Sequence, residues 1–531
     1  MINENEIKKE IDNHKIVSFD VFDTLLYRRF IFPTDIFSYI EEEYKAEGYR
    51  KNRINAEKEA RKKSIYEINI DDIYRCIKAR YKHLLEKELE IEKKSIYRNE
   101  KIYKLYKYAL DRNKTIVFTS DMYLKYDFLV NILKENNYGD YNLFLLSNKD
   151  NVNKESGSIY KYMIDKLGCF EKDILHIGDN YICDYEIPTK LGIGSIFIDK
   201  PSSVYIKRYN KYQMQNNWKL SLIHKLIADK LFSNEIQING KIGYSYVGPI
   251  IYSYITWINS IVKEINNIDK IVFVLRDGYL LSKAYKILYK DSNIETINIH
   301  ASRSICNKYI NNVDEYAKYL NYLGIKDNFV LVESISEKFS AQKLINKALN
   351  IDAICLYWYA SNKTNKSLQY YLYQKKKINI LKNYNLIEYM LSSPEPPAKC
   401  INNNTVVYEN EVSINEKKHM EFISYVEKYA LEFVCDMNKL NININTIENS
   451  VFNDYFYDYF RMIDDKERSV FESIRYSSNI QNNDNNKFDL PNTSLKDNIR
   501  LYIGRKDNII TRAFIFIYNI CINIKKNEKK N

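Results

Sequence analysis

Five short apolar runs, rich in β-branched residues, decide what this chain can fold into. They are IVSFD from Ile16, TIVFTS (115–120), NLFLLS (142–147), DILHIGD (173–179) and GSIFID (194–199). Helical or turn-like segments separate them, the order that a parallel sheet with helical crossovers requires. A long polar stretch of helical periodicity, from about Pro33 to Asp111, interrupts the series, so one large helical insert follows the first strand directly.

A helix-rich segment, 205–265, leads to a second alternating block: KIVFVL (270–275), TINIH (296–300), FVLVES (329–334) and AICLYWYA (353–360). After the turn SSPEPPAK (392–399) the periodicity is helical again through Lys417 to Arg475, and NIQNNDNNK (479–487) reads as a linker. The expected division is an α/β core over 1–204 with a helical insert at 27–112, a second α/β domain over 205–400, and a helical region over 401–531 ending in a basic tail. A chain of 531 residues has room for all three.

With 45% hydrophobic and 28% charged residues, wholesale disorder, collagen-like repeats and a polytopic membrane protein are excluded. The net charge of +11 would ordinarily raise nucleic acid or anionic lipid as partners. Here the Lys residues are dispersed and no helix carries a dense basic stripe. The 49 Tyr set against 13 Gly and 8 Pro point to an AT-rich coding sequence, so no specific nucleic acid partner is expected. The eight Cys form no Cys-x-x-Cys pair and the polar start MINENEIKKEID is no signal peptide, which points to a reducing cytoplasm. The apolar run 513–524 falls short of the ~20 residues a spanning helix needs. Its flanks (Arg505, Lys506 and Arg512 before; Lys525, Lys526, Lys529 and Lys530 after) suit a helix lying on an acidic membrane surface, while the plainer expectation is a docked C-terminal helix with a frayed basic tail.

The chemistry gathers at strand ends. SFDVFDTLL (18–26) puts Asp20 at the carboxyl end of the first strand, where open parallel sheets bind ligands, and Thr24 four residues on can hold a phosphate oxygen. The second strand ends in Thr119-Ser120-Asp121, the third is followed by Lys154, and the fourth ends in Gly178-Asp179-Asn180 with Asp184 beyond. The carboxylates of Asp20, Asp179 and Asp184 are oxygen donors of the kind a hard cation prefers. His176, inside the fourth strand, reads as a core histidine, Asp121 as the cap of the next helix, and Lys161 as a helix-face residue.

This set, in this order, resembles the haloacid dehalogenase superfamily: D-x-D-x-[TV] onto Asp20 and Thr24, the hydroxyl motif onto Ser120, the Lys motif onto Lys154, and G-D-x-x-x-x-D onto Gly178, Asp179 and Asp184. It covers about residues 14–200, with the insert where members of the superfamily carry a helical cap. The resemblance implies a Rossmann-like core and Mg²⁺-dependent chemistry in which Asp20 attacks phosphorus and water releases the aspartyl-phosphate. It implies Mg²⁺ held by Asp20, the backbone carbonyl of Phe22 and Asp179, with Asp184 direct or one shell out. Thr24 and Ser120 would bind phosphoryl oxygens, and Lys154 would offset charge. Phe22 departs from the pattern, because phosphatases of the superfamily carry the general acid and base Asp there. Strand alternation sends Asp23 to the other side unless the loop turns sharply. The superfamily's dehalogenases have an aromatic at this position, and their leaving group needs no proton.

In the second block, FVLRDGYLLSKAY (273–285) puts Arg276 and Asp277 at a strand end, and HASRS (300–304) brings Arg303 to the same edge. The three are a candidate anion or sugar site, or Arg276 and Asp277 simply close a strand–helix turn. The pairing of both halves resembles large bacterial proteins associated with surface-polysaccharide gene clusters. The expected substrate is therefore a phosphorylated sugar or related metabolite, with polysaccharide-assembly enzymes as partners. A phosphosugar-binding or scaffolding role is the alternative, and halide displacement a third reading.

Overall fold

In the computed structural model the first five runs become strands, the central ones because they are apolar on both sides of the pleat and covered on both faces, while the last, at the sheet edge, is only half-buried. The structure describes residues 3–208, 217–233, 236–336, 338–360, 368–374, 384–440, 442, 463 and 465–475. The linker 479–487, the apolar run 513–524 and its basic flanks lie outside the described residues. The chain forms two compact units, Met1–Gln237 with Leu431–Ile447, and Ile238–Ala430 with Glu448–Asn531. The division expected at 204 falls at 237 because helix Trp218–Ser233 is tied to the first unit. Ser221 Oγ accepts from Ile31 N at 2.9 Å, and Trp218 Nε1 donates to Glu42 at 2.7 Å.

The first unit contains β1 (Ile16–Asp20), β2 (Leu26–Arg28), β3 (Ile96–Arg98), β4 (Thr115–Ser120), β5 (Leu143–Leu146), β6 (Ile174–Gly178) and β7 (Gly194–Phe197). Five of them form a parallel sheet in the order β5-β4-β1-β6-β7. Asp20 is level with Thr119 and Phe19 with Ile177, so the carboxyl ends of β1, β4 and β6 share one edge. The chain runs outward from β1 to β4 and β5, then crosses back to β6 and β7. The gap between β1 and β6 is thus the switch point at which such sheets open a crevice. Val17, Phe19, Phe118, Leu175 and Ile177 join Tyr106 and Tyr138 in one core, and Ile16, Val117, Leu145 and Ile174 join Ile159, Tyr160 and Met163 in another.

β2 and β3 pair antiparallel, Leu26 opposite Arg98 and Arg28 opposite Ile96. This ribbon carries the insert, which contains helices Asp35–Glu43, Tyr49–Lys63, Ile70–Cys76 and Leu85–Ser95. The expected span of 27–112 is too long by one helix. Glu100–Asp111 lays Ile102, Leu105, Tyr106 and Ala109 on the sheet and is the crossover to β4. Inside the insert Arg53 is fully buried, with Nη2 donating to Glu88 at 2.8 Å, while the hydroxyls of Tyr49 and Tyr74 donate to the same carboxylate at 2.6 and 2.8 Å. A buried ion pair is tolerated where extra donors saturate the carboxylate in this way.

The second unit holds β8 (Lys270–Leu275), β9 (Glu295–His300), β10 (Phe329–Ser336), β11 (Ile354–Ala360) and β12 (Gln369–Gln374), parallel in the order β12-β11-β10-β8-β9. A hairpin follows, β13 (Ala398–Asn402) and β14 (Thr405–Tyr408), part of it in the stretch expected to be helical. Asn403 and Asn404, at φ 46° and 61°, make its two-residue turn, a left-handed geometry Asn accepts more readily than most residues. Helices Ile414–Asn438 and Asp465–Ser473 come after it. No described helix is long and apolar enough to cross a membrane.

Candidate active site

The end of β1 reverses sharply. Leu25 N donates to Asp20 O at 3.4 Å, Leu26 N to Val21 O at 2.9 Å and Asp23 N to Leu26 O at 2.7 Å, with Asp23 in the left-handed region at φ 64°. That turn leaves Asp20 at the strand tip and swings Asp23 back to the same edge, against the strand-alternation expectation. It also carries Thr24 inward. Thr24 is fully buried, its Oγ1 has no partner among the described residues, and it is not on the cavity wall. The expected phosphate-binding part for Thr24 is therefore not supported; its carbonyl accepts from Asn99 Nδ2 at 2.8 Å and ties the turn to the insert's stalk.

A cavity of about 410 Å³ opens at this edge, walled by Asp20, Phe22, Asp23, Ser120, Lys154, Asp179 and Asp184 from the core, and by Arg28, Phe37 and Glu92 from the ribbon and insert. Lys154, 4% exposed, donates to Asp20 Oδ1 and, at 2.8 Å, to Asp184 Oδ1. Asp121 does not cap the next helix. Its carboxylate accepts from Lys154 N at 2.9 Å and fixes the loop that presents the ammonium.

Asp184 is held from three sides: Lys154, the backbone N of Asn180 at 3.0 Å on Oδ2, and His176 Nε2 at 3.2 Å on Oδ1. Burial pushes His176 below its ordinary pKa; its Nε2 faces the carboxylate and its Nδ1 lies 2.9 Å from Ser18 Oγ. His176 is thus a core histidine whose second partner belongs to the site. Gly178 makes this possible: a Cβ there would lie 2.4 Å from Asp184 Cγ.

Electrostatics follow from burial. Desolvation pushes Asp20 well up, Asp184 and Asp179 push the same way, and Lys154 opposes them. Lys154 holds Asp184 well below the usual range despite burial. Asp179 is pushed up to about 6, by burial first and Asp23 second, against the pull of Lys200. Lys200, just after β7, was missed in the sequence; it bonds Asp23 at 2.8 Å and lies 2.9 Å from Asp179. Its signal was its place after the fifth strand, the same logic that singled out Lys154. Arg28 was missed as well. It packs on the Phe22 ring, 4.0 Å from the centroid, and donates through Nε to Glu92 at 2.9 Å.

One carboxylate oxygen each of Asp20, Asp179 and Asp184 lie within 4.8 Å of one another. Asp20 Oδ2 is buried without a partner among the described residues. An all-oxygen set with an unsatisfied carboxylate oxygen fits a hard dication such as Mg²⁺.

In the second unit, burial pushes the Asp277 carboxyl up while Ser334, Arg276 and Arg303 pull it down, so both arginines lie near Asp277, although each also has an acidic partner of its own. Arg276 donates to Glu416 and, through Nη2, meets His419 Nδ1 at 3.0 Å, while Asp277 accepts from Ser334 Oγ at 2.7 Å. Arg303, 60% exposed, lies 3.9 Å from Glu388.

No family model matches the chain, and no curated protein matches it. Among solved structures, a dehalogenase with an intermediate complex is 13% identical, covering 35% of this chain and 86% of its own, with a TM-score of 0.28. An L-2-haloacid dehalogenase is 14% identical over 35% of this chain and 86% of its own, TM-score 0.27. A predicted phosphoglycolate phosphatase from Haemophilus somnus is 11% identical over 34% and 83%, TM-score 0.25.

Proposed function

We propose that the first unit is a hydrolase of the haloacid dehalogenase type acting on a phosphorylated small molecule, a sugar phosphate or related metabolite, with Asp20 as nucleophile. The observation that carries this reading is the placement of Asp20: one carboxylate oxygen is held by the buried ammonium of Lys154 and the other stands unpartnered at the sheet edge. In the reaction the Asp20 carboxylate bonds to phosphorus as the ester oxygen leaves. Water then attacks the phosphorus of the aspartyl-phosphate, releasing phosphate and restoring the carboxylate. Lys154 orients Asp20 and opposes the burial that pushes its carboxyl up, and Ser120, on the cavity wall, binds a phosphoryl oxygen. Asp20, Asp179, the Phe22 carbonyl and Asp184 directly or one shell out would hold Mg²⁺, which when bound offsets the repulsion between carboxylate and phosphoryl oxygens.

Phe22 supplies no proton to the leaving oxygen, so that proton comes from solvent, and the chemical step lacks a contribution typically worth ~10² to 10⁴ in rate. The same residue favours a second reading, halide displacement from carbon, whose leaving group needs no proton. A setting in surface-polysaccharide assembly rests on the motif resemblance alone.

The test is phosphate or halide release from a panel of sugar phosphates, aryl phosphates and 2-haloacids, with and without Mg²⁺, comparing the unaltered chain with Asp20→Asn. Mg²⁺-dependent phosphate release, fastest for aryl esters and abolished by Asp20→Asn, is expected. Halide release without Mg²⁺ would transfer the assignment to the second reading, and no release of either would defeat both.

A further inference from the structure

The cavity wall carries three cations, and two are already committed. Lys154 is shared between Asp20 and Asp184, and Lys200 between Asp23 and Asp179. Arg28 differs. Its Nε donates to Glu92, its Cζ lies over the Phe22 ring 4.0 Å from the centroid, and its two terminal amino groups, Nη1 and Nη2, make no hydrogen bond to any described residue. The residue is only 6% exposed, yet it lines the cavity. A buried guanidinium fixed along one edge and one face, with its end-on pair of donors unspent, is a preformed fork for a planar or tetrahedral oxyanion.

We infer that Arg28 is the specificity residue of this site and recognises a second oxyanion on the substrate, a carboxylate or second phosphate apart from the phosphoryl group that reacts at Asp20. The inference rests on the proposed hydrolysis and narrows its substrate class to small phosphorylated acids or bisphosphates. Phe22 then acquires a positive part. The aromatic ring that cannot serve as an acid is the surface on which the guanidinium lies, and Glu92 of the insert sets its rotation. Bidentate recognition by Arg is charge-assisted on both bonds, so losing the fork weakens a matching ligand by about 10- to 100-fold. Lys cannot replace it, since an ammonium presents a point charge rather than two parallel donors.

Recognition is separable from turnover when binding is measured on the full-length Asp20→Asn chain, in Mg²⁺, by calorimetry. The probes are glycerol 3-phosphate, 3-phosphoglycerate and propane-1,3-diol bisphosphate, alike in chain length but carrying no second anion, a carboxylate or a second phosphate. At least one doubly anionic probe is expected to bind about tenfold or more tighter than glycerol 3-phosphate, and which one does names the group. With Arg28→Lys added, that ratio is expected to fall to about threefold or less while glycerol 3-phosphate itself binds as before. Arg28→Gln, whose amide still reaches Glu92, serves as the second variant if the Lys form does not fold. A ratio near one with Arg28 in place, or a ratio that survives both variants, overturns the inference. Phosphate release by the unaltered chain is scored separately. No release with the ratio intact sinks the hydrolysis and leaves the recognition, whereas release with a ratio of one sinks the recognition alone.

Discussion

Replacing Lys154 with Met tests the centre of the site. The ammonium, 4% exposed, lies between Asp20 and Asp184, whose side chains are 10% and 2% exposed. Met keeps the length of the side chain and removes the charge, leaving three carboxylates with oxygens within 4.8 Å of one another. One pair of unit charges at that separation repels by about 3.5 kcal/mol at an effective dielectric of ~20. Breaking a buried ion pair from one side costs ~3 to 5 kcal/mol in measured cases, so the two estimates agree. Urea unfolding at pH 7 should therefore show a loss of about 3–5 kcal/mol, a large share of the ~5 to 15 kcal/mol typical of a domain. Adding Asp184→Asn to Lys154→Met removes one of the repelling charges and should recover at least half of the loss. Mg²⁺ should raise the unfolding midpoint of Lys154→Met more than that of the unaltered chain, because it replaces the missing charge. A loss below about 1 kcal/mol, or a double variant no more stable than the single one, would refute the charge balance described here.

Asp35, 1% exposed and with neither carboxylate oxygen in a well-formed hydrogen bond among the described residues, is pushed up to about 6 by burial, against the opposing pull of Ser221 and Arg50. A carboxyl raised in the fold favours its protonated state. Its contribution is therefore full below the ordinary Asp value of ~3.9 and is lost as pH rises through about 6. Asp35→Asn should accordingly be more stable than the unaltered chain by up to ~3 kcal/mol at pH 8, with the gap narrowing at pH 5; a gap independent of pH would show that Asp35 does not titrate. Gly178→Ala drives a methyl group to 2.4 Å from Asp184 Cγ, so both turnover and the Mg²⁺-induced rise in melting temperature should be lost, and retention of either would mean that Asp184 need not sit where it does. Phe22→Asp puts a carboxylate beside Arg28, which will pair with it and hold it ionised. Turnover of alkyl phosphates should rise by about tenfold rather than the ~10² to 10⁴ of an unhindered general acid, and no rise at all would show that position 22 is not where the proton is lacking.

The strands were legible because parallel strands covered on both faces are written as continuous apolar runs; β4 and β8 begin and end where the runs TIVFTS and KIVFVL do. Elements that owe their form to partners were not. β2 and β3 are three residues each, LYR and IYR, too short for any periodicity, and only their pairing makes them the stalk of the insert. β12, QYYLYQ, has polar ends and borders a single strand. In the site, Asp20, Ser120, Lys154, Asp179 and Asp184 could be placed from their offsets to strand ends. Lys200 carried the same strand-end signal after β7, whereas Asp23 and Arg28 could not be so placed, because a single left-handed residue and a ribbon bring them in. Thr24 misled for the same reason, since its offset from Asp20 is regular but the turn between them is not an extension of the strand.

The hydrogen bonds also divide the acidic cluster by role. Asp184 is saturated: Lys154 and His176 take Oδ1, the amide of Asn180 takes Oδ2, and it fills the space that Gly178, lacking a Cβ, leaves open. Among the described residues Asp20 has a buried oxygen without a partner, and Asp179 is held only by Lys200, whose side chain is 26% exposed. On the proposed reading, a cation entering this cluster would find direct ligands in Asp20 and Asp179, while Asp184 would act through Lys154 to fix Asp20. Asp179→Asn should abolish the Mg²⁺-induced rise in melting temperature. Asp184→Asn keeps a hydrogen-bonding side chain of the same shape and should retain that rise, while turnover falls as Lys154 loses its second anchor. Abolition of the rise by both variants alike would make Asp184 a direct ligand, and survival of the rise in Asp179→Asn would place the cation elsewhere.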